Sequence, residues 1–419
     1  MLLPPPPEAE AVSRSRSSRP GGNPDVDLTS EPRRWQTVAS SAGMQPYTWG
    51  SSDGANARVA LGIQSALFYT DNVDFQTDNL AKGETIFEFS PIINVDIGDP
   101  QSWISGTSNK LSEYYVSLLY VPTFYYRLRD DTDDYAQHLL GEIGRINQVS
   151  RSVLRLDYDE RIQASSDNTS PEENYTLLTA TALMEYRLSP RTSIRGKAGH
   201  RQITVAQGGS SRGEWIGDAA LLWDYSPKTR IGFGTEGAHI SFKQRPLGTQ
   251  NYAQALLLME WKPSPKMGFT TRTGFEWRQF NRAPPRSDRT SLVTLTTFYW
   301  QITEKTRINA RFGLANRPSV IAQGALYREL RFGPQLLHDF TAHYYGSAEA
   351  QVVRRRYDTG RLDWEPQARL AFGYRQDPDK GFNRTNVEAF LQWHRRERSD
   401  LSNANVERTQ IGMQLTCFF

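Results

Sequence analysis

Gly232-Phe-Gly234-Thr-Glu-Gly237 has the G-x-G-x-x-G spacing of a dinucleotide-binding turn. That chemistry needs a strand before the glycines and a helix after them, so that a pyrophosphate can rest on the helix N-terminus. Here the chain runs on as Ala-His-Ile-Ser-Phe, a continuing strand. Gly232 and Gly234 share a face of it and are expected to relieve crowding or kink the strand. Asp131, Asp133 and Glu142 occupy positions 1, 3 and 12 of a calcium-loop frame, but Ala136 stands where the frame requires glycine. The acidic run is therefore expected to be a surface loop, and no metal site is assigned. His138, His200, His239, His338, His343 and His394 sit in no hydrolase motif, and no Gly-x-Ser-x-Gly elbow occurs. Neither an enzymatic activity nor a cofactor is expected.

The remaining chemistry-bearing residues are ionised side chains in regular spacing. Arg155, Asp157, Asp159, Arg195, Lys197, Arg201, Arg307, Arg311, Arg369, Arg375 and Glu388 all fall on the polar side of an alternating run. Two uses are open to them. Cross-strand ion pairs would hold a wide barrel in shape. A hydrated wall of fixed charge would select solutes. The two uses are compatible.

Such residues have to be presented by strands, because side chains alternate faces along a strand. From about Asn56 onward the chain repeats one pattern: an alternating run of about 10–15 residues, then a turn. About eighteen runs follow one another. Ile308, Ala310, Phe312 and Leu314 alternate with Arg307, Asn309, Arg311 and Gly313. Pro366, Ala368, Leu370, Phe372 and Tyr374 alternate with Gln367, Arg369, Ala371, Gly373 and Arg375. Arg or Lys facing lipid at mid-bilayer costs about 2–4 kcal/mol, so clean segregation of charge is expected of a transmembrane barrel. One stretch, Tyr135 to Val149, also places Leu139, Leu140, Ile143 and Ile146 at helical spacing; strand is preferred, because its neighbours need a partner.

The turns alternate in length. Ser189-Pro190, Ser226-Pro227-Lys228, Ser264-Pro265, Glu304-Lys305, His338-Asp339 and 377–380 are short. Stretches such as 165–173, 206–212, 281–288 and 358–364 are longer, as expected of outer-membrane barrels, with the short turns on the periplasmic side. Residues 98–111 depart from that order. Tyr186, Trp223, Tyr225, Trp261, Trp277, Phe298 and Trp300 gather near strand ends, where interfacial girdles form. The last run has Ile411, Met413, Leu415, Cys417 and Phe419 on one face, and its terminal aromatic resembles the C-terminal insertion signal of outer-membrane barrels.

Composition agrees without deciding. Mean hydropathy is −0.61 and 23% of residues are charged; no apolar run approaches the ~18 residues of a membrane helix. Transmembrane strands escape that criterion, since half their side chains face the lumen. The net charge of +3 is too small to argue for nucleic acid. The single cysteine, Cys417, can form no disulfide framework. Residues 1–54 are rich in Pro, Ser, Arg and Gly and are expected to be a disordered periplasmic tail, with the barrel over 55–419. The opening has no basic segment followed by an apolar core, so the export signal is expected to lie outside this sequence.

Tyr69-Thr-Asp-Asn-Val73, then Ser90-Pro-Ile-Ile-Asn-Val95, and hairpins such as Glu185-Tyr-Arg-Leu-Ser-Pro-Arg-Thr192 and Asp224-Tyr-Ser-Pro-Lys-Thr229 resemble the β-barrel porin 2 family of outer-membrane proteins. The resemblance implies an all-β transmembrane antiparallel barrel linked to extracellular polysaccharide export. The functional expectation is a porin-like outer-membrane channel for polar solutes or an exported polysaccharide. A structural or adhesive barrel acting through its outer loops is the alternative. Expected partners are outer-membrane lipid and lipopolysaccharide, the barrel-assembly machinery through Ile411, Met413, Leu415 and Phe419, and polysaccharide-export components.

Overall fold

The alternation written in the sequence becomes one closed sheet. The computed structural model describes residues 57–73, 81–98, 114–129, 132–147, 149–161, 175–205, 211–243, 248–281, 288–318, 326–376, 384–399 and 405–419. The expectations for residues 1–54, and that for Asp131, lie outside them. Among the described residues there are eighteen strands. The first six are β1 (Ala57–Thr70), β2 (Glu84–Ile97), β3 (Tyr114–Arg127), β4 (Thr132–Ile146), β5 (Ser150–Arg161) and β6 (Tyr175–Ser189). Then come β7 (Thr192–Val205), β8 (Arg212–Ser226), β9 (Thr229–Phe242), β10 (Thr249–Ser264), β11 (Met267–Asn281) and β12 (Arg289–Gln301). The last six are β13 (Thr306–Pro318), β14 (Leu326–Asp339), β15 (Tyr344–Tyr357), β16 (Leu362–Arg375), β17 (Arg384–Arg398) and β18 (Val406–Phe418).

Every strand pairs antiparallel with its neighbours in sequence, and β1 pairs with both β2 and β18. The barrel is therefore closed and presents no free edge, the condition for crossing a bilayer with strands. The seam runs from Gly62 opposite Phe418 to Thr70 opposite Gln410. It is fastened at its ends by Phe419 N donating to Leu61 O at 2.8 Å and Thr409 N donating to Asp71 Oδ1 at 2.7 Å. Two glycines make this approach possible. A Cβ on Gly412 would lie 2.6 Å from Leu67 O and 2.8 Å from Phe68 Cα, and one on Gly62 would lie 2.7 Å from Phe418 Cδ1.

The two faces of the sheet differ as the alternation requires. Outward stand Leu61, Leu67, Phe87, Leu154, Met184, Phe233, Phe275, Leu370, Phe372, Ile411 and Met413, all exposed. Burial of apolar surface is worth about 25 cal/mol per Å², so a belt of this extent is stable only against lipid. The rings of Tyr186, Trp223, Tyr225, Trp261, Trp277 and Trp300 are exposed on the same side, near strand ends. Stretch 132–146 is strand β4 and places Leu139 and Ile143 on the opposite face from Leu140 and Ile146, which rules out the helical reading.

The inner face is not uniformly ionised. Ala66, Phe68, Ile86, Tyr125, Ala136 and Phe390 form one buried apolar cluster, and Ile92, Leu119, Val121 and Phe418 another. Strands β1–β4 thus carry a buried inner strip beside the seam, in which Gln64, Glu88 and Ser90 lie among the apolar side chains. Phe418, on the wet side of the last run by sequence, packs into that strip.

Connection lengths follow from the strand limits. At the β1–β2 end two connections have 13 residues, and the others have 4–7. At the other end residues 98–113 and 376–383 are long, and the rest have 2–4. Three expectations change. The connection read as the short turn 377–380 is 376–383, eight residues long. His338 and Asp339 belong to β14, where they pair with β13 and β15, and the turn is 340–343. The connection expected over 358–364 is the four-residue turn 358–361, tightened by Gly360 at φ 94°.

Candidate functional site

The polar sides of β6–β11 and β13–β15 meet around a cavity open to solvent, with about 160 Å³ of room for water. A space reached by side chains of nine strands, from β6 round to β15, is the interior of the barrel. Its lining follows from the period of two: Arg212 and Glu214 on β8, Glu276 and Arg278 on β11, and Glu329 and Arg331 on β14 are each two residues apart and so share the inner face.

Three knots of charge make the wall. In the first, Glu214 accepts from Arg212 Nε at 2.7 Å and Arg201 Nη1 at 3.3 Å. In the second, Glu276 accepts from Arg278 Nε at 2.8 Å, Gln254 Nε2 at 2.8 Å and Asn316 Nδ2 at 2.9 Å, with the Arg278 guanidinium over the Tyr252 ring. Asn316 reaches this knot because the β12–β13 pairing stops at Leu314. In the third, Glu329 faces Arg355 at 3.2 Å and Arg317 and Arg331 at 3.4 Å each, while Arg355 Nη1 also donates to Glu365 at 2.5 Å. Glu276, Glu329, Glu365 and Arg278 are 0–3% exposed. Buried charges of this kind persist only when paired.

The cavity lining counts eight basic side chains (Lys197, Arg201, Arg212, Arg272, Arg278, Arg317, Arg331 and Arg355). Five carboxylates oppose them (Glu214, Asp218, Glu236, Glu276 and Glu329), which leaves an excess of three positive charges. A cleft lined by one excess sign, with low-dielectric walls, concentrates ions of the other sign.

The candidate residues chosen by sequence are spread round this wall. Lys197 and Arg201 line the cavity together. Arg369 Nη2 donates to Glu388 at 2.6 Å, and Tyr345 OH donates to the same carboxylate at 3.0 Å. Arg375 and Arg307 share Asp339, at 2.8 and 3.8 Å. Arg155 pairs with Glu142 at 2.7 Å, Asp157 lies 3.5 Å from His138, and Asp159 and Arg195 are buried. Arg311 sits on the inner face of β13, in register with Gly333. Of the eleven candidates only Lys197 and Arg201 line the cavity; Arg155, Asp157 and Asp159 on β5, and Arg195, Arg307, Arg311, Arg369, Arg375 and Glu388, lie outside its lining. Ile411, Met413 and Leu415 are exposed on the outer face of β18, and Phe419 is exposed at the chain end that follows it.

Glu329, Arg331, Arg355, Arg278, Arg212 and Glu214 carry the wall, and the sequence reading passed over them. The signal available was the acid–base doublet at spacing two, which recurs at 212/214, 276/278, 329/331 and 361/363. The glycines of the dinucleotide-like motif lie within β9; a Cβ on Gly232 would lie 2.6 Å from Leu221 O, which explains the glycine by crowding. Asp133 and Glu142 lie on strand β4, and Glu142 accepts from Tyr115 OH at 2.5 Å. Among the described residues no group of three His, Cys, Asp or Glu could hold a metal ion.

No family model matches the chain, and no curated protein matches it. The resemblance to the β-barrel porin 2 family therefore stands on its short motifs alone. Solved structures similar in fold include three bacterial proteins. Pseudomonas aeruginosa OpdK with vanillate has 14% identity and a TM-score of 0.47, covering 86% of this chain and 99% of that one. P. aeruginosa OccK9 (OpdG) has 10% identity and a TM-score of 0.49, covering 88% and 100%. Acinetobacter baumannii OccAB4 has 11% identity and a TM-score of 0.45, covering 88% and 100%.

Proposed function

We propose that this barrel is a bacterial outer-membrane channel that passes small polar solutes and favours anions. The observation that carries the reading is the charged cavity inside a closed, lipid-facing sheet, with its excess of three positive charges. Fixed charge in a narrow polar passage sets which ions enter. Ile411, Met413, Leu415 and Phe419 serve, in the same reading, as the strand recognised during membrane insertion.

Polysaccharide passage, the finer expectation, would use exposed ring faces for sugar stacking. Three of the inward tyrosines do not offer them. Tyr327, Tyr345 and Tyr357 are at most 6% exposed, and Arg355, Arg375 and Arg361 stand over their rings. Small solutes suit this wall better. The adhesive alternative needs extensive outer loops, and seven of the nine connections at the β1–β2 end have 4–7 residues.

The test is single-channel recording of the refolded full chain in planar bilayers under a tenfold KCl gradient. Steady unitary current with a reversal potential of anion-selective sign is expected. Arg317→Gln with Arg331→Gln removes two of the eight cations and should move that potential toward cation selectivity. Absence of any steady current, from protein that still shows heat-modifiable migration on a gel, rejects the channel.

A further inference from the structure

Charge on the outer face of a lipid-facing barrel is costly, and one patch keeps it without neutralisation. Arg328 on β14 and Arg354 and Arg356 on β15 are all exposed and all alternate outward. Arg328 stands directly opposite Arg356 in the ladder, and Arg354 is two residues along the same face. Directly opposed side chains lie about 4.5–5.5 Å apart at Cβ, where like charges repel. Among the described residues none of the three side chains has a hydrogen bond or an ion pair. The next outward charges at this end are built differently: Arg395 on β17 has Glu397 at 2.8 Å, and Trp393 Nε1 donates to Glu407 at 2.7 Å.

The level of the patch is fixed by its neighbours. Arg354 is in register with Trp364, an exposed ring near the start of β16, and with Leu330, and exposed Phe332 is the next outward position further in along β14. Three guanidiniums in mutual register at the boundary between apolar belt and polar loops call for an anion fixed at that same depth. Arginine is suited to bidentate binding of phosphate.

We propose that Arg328, Arg354 and Arg356 form a binding site for a membrane glycolipid bearing more than one phosphate on its headgroup, with its acyl chains along Phe332 and Val352. Three cations in so small an area exceed what one monovalent headgroup neutralises, which selects a bis-phosphorylated lipid over a simple phospholipid. The site rests on the reading of the barrel as an outer-membrane protein, with the β1–β2 end outward.

The test is native mass spectrometry of the refolded full chain in detergent with bis-phosphorylated lipid A. Monophosphorylated lipid A, phosphatidylglycerol and inorganic phosphate serve as comparison probes. Wild type is expected to retain one bis-phosphorylated lipid, and the Arg328→Gln/Arg354→Gln/Arg356→Gln variant to bind it at least tenfold more weakly. Arg395→Gln should bind as wild type. Equal retention by wild type and the triple variant overturns the site. So does equal retention of phosphatidylglycerol, or displacement by millimolar inorganic phosphate. Conductance of the triple variant should be unchanged, because the patch lies outside the lumen. Failure of the lipid site is therefore distinguishable from failure of the channel.

Discussion

Glu329→Ala is expected to destabilise the barrel by about 3–5 kcal/mol, the scale for removing one partner of a buried ion pair. Glu329 is 3% exposed, and its carboxylate faces Arg317, Arg331 and Arg355 within 3.4 Å. Arg355 keeps Glu365 at 2.5 Å. Arg317 and Arg331, at 19% and 12% side-chain exposure, lose the carboxylate that they share. Denaturant unfolding of the barrel in lipid vesicles measures the loss. The same substitution raises the positive excess of the cavity by one, so the folded fraction should become more anion-selective under a KCl gradient. Unchanged stability with unchanged selectivity would show that Glu329 is solvated and not part of the wall.

Gly412→Val should abolish closure. Its Cβ would meet the Leu67 carbonyl oxygen and the Phe68 backbone across the seam, inside any real contact distance. Backbone cannot swing aside as a flexible side chain can, so β18 would have to leave β1. That opens two edges where the lipid-facing sheet has none, and unpaired backbone groups in lipid cost several kcal/mol each. The expected readout is loss of the fast-migrating unheated band on a gel, to about a tenth or less of the wild-type fraction. Gly141→Ala is the control, since nothing lies within 4 Å of a Cβ there. A heat-modifiable band of wild-type strength from Gly412→Val would show that the seam is looser than its register indicates.

Much of this architecture is legible one strand at a time. The alternation of Leu370, Phe372 and Tyr374 with Arg369, Ala371 and Gly373 specifies both the strand and which side is wet, because the period of two is local. The alternating pattern that begins near Asn56 meets β1 at Ala57, and the eighteen runs match eighteen strands. Turn positions were less secure where no proline or glycine marks them. His338-Asp339 reads as a turn, yet those residues are held in β14 by pairing on both sides.

The wall of the lumen is legible only as a parity. Local alternation says that Glu329 points inward; it does not say that Arg317 and Arg355 flank it, since that depends on the register of β13 and β15 against β14. The buried inner strip is hidden for the same reason. Phe68 and Phe390 lie on β1 and β17, more than 300 residues apart in sequence, and their ring centroids come to 6.4 Å across β18.

The sequence by itself determined how many times this chain crosses and which side chains meet lipid, because both are set within a dozen consecutive residues. The tertiary structure decided which charges share a knot, which glycines admit the backbone at the seam, and which three arginines stand together without a counterion. Those depend on the relative shift of strands fixed when the sheet closes on itself, a property of the whole ring and of no single strand.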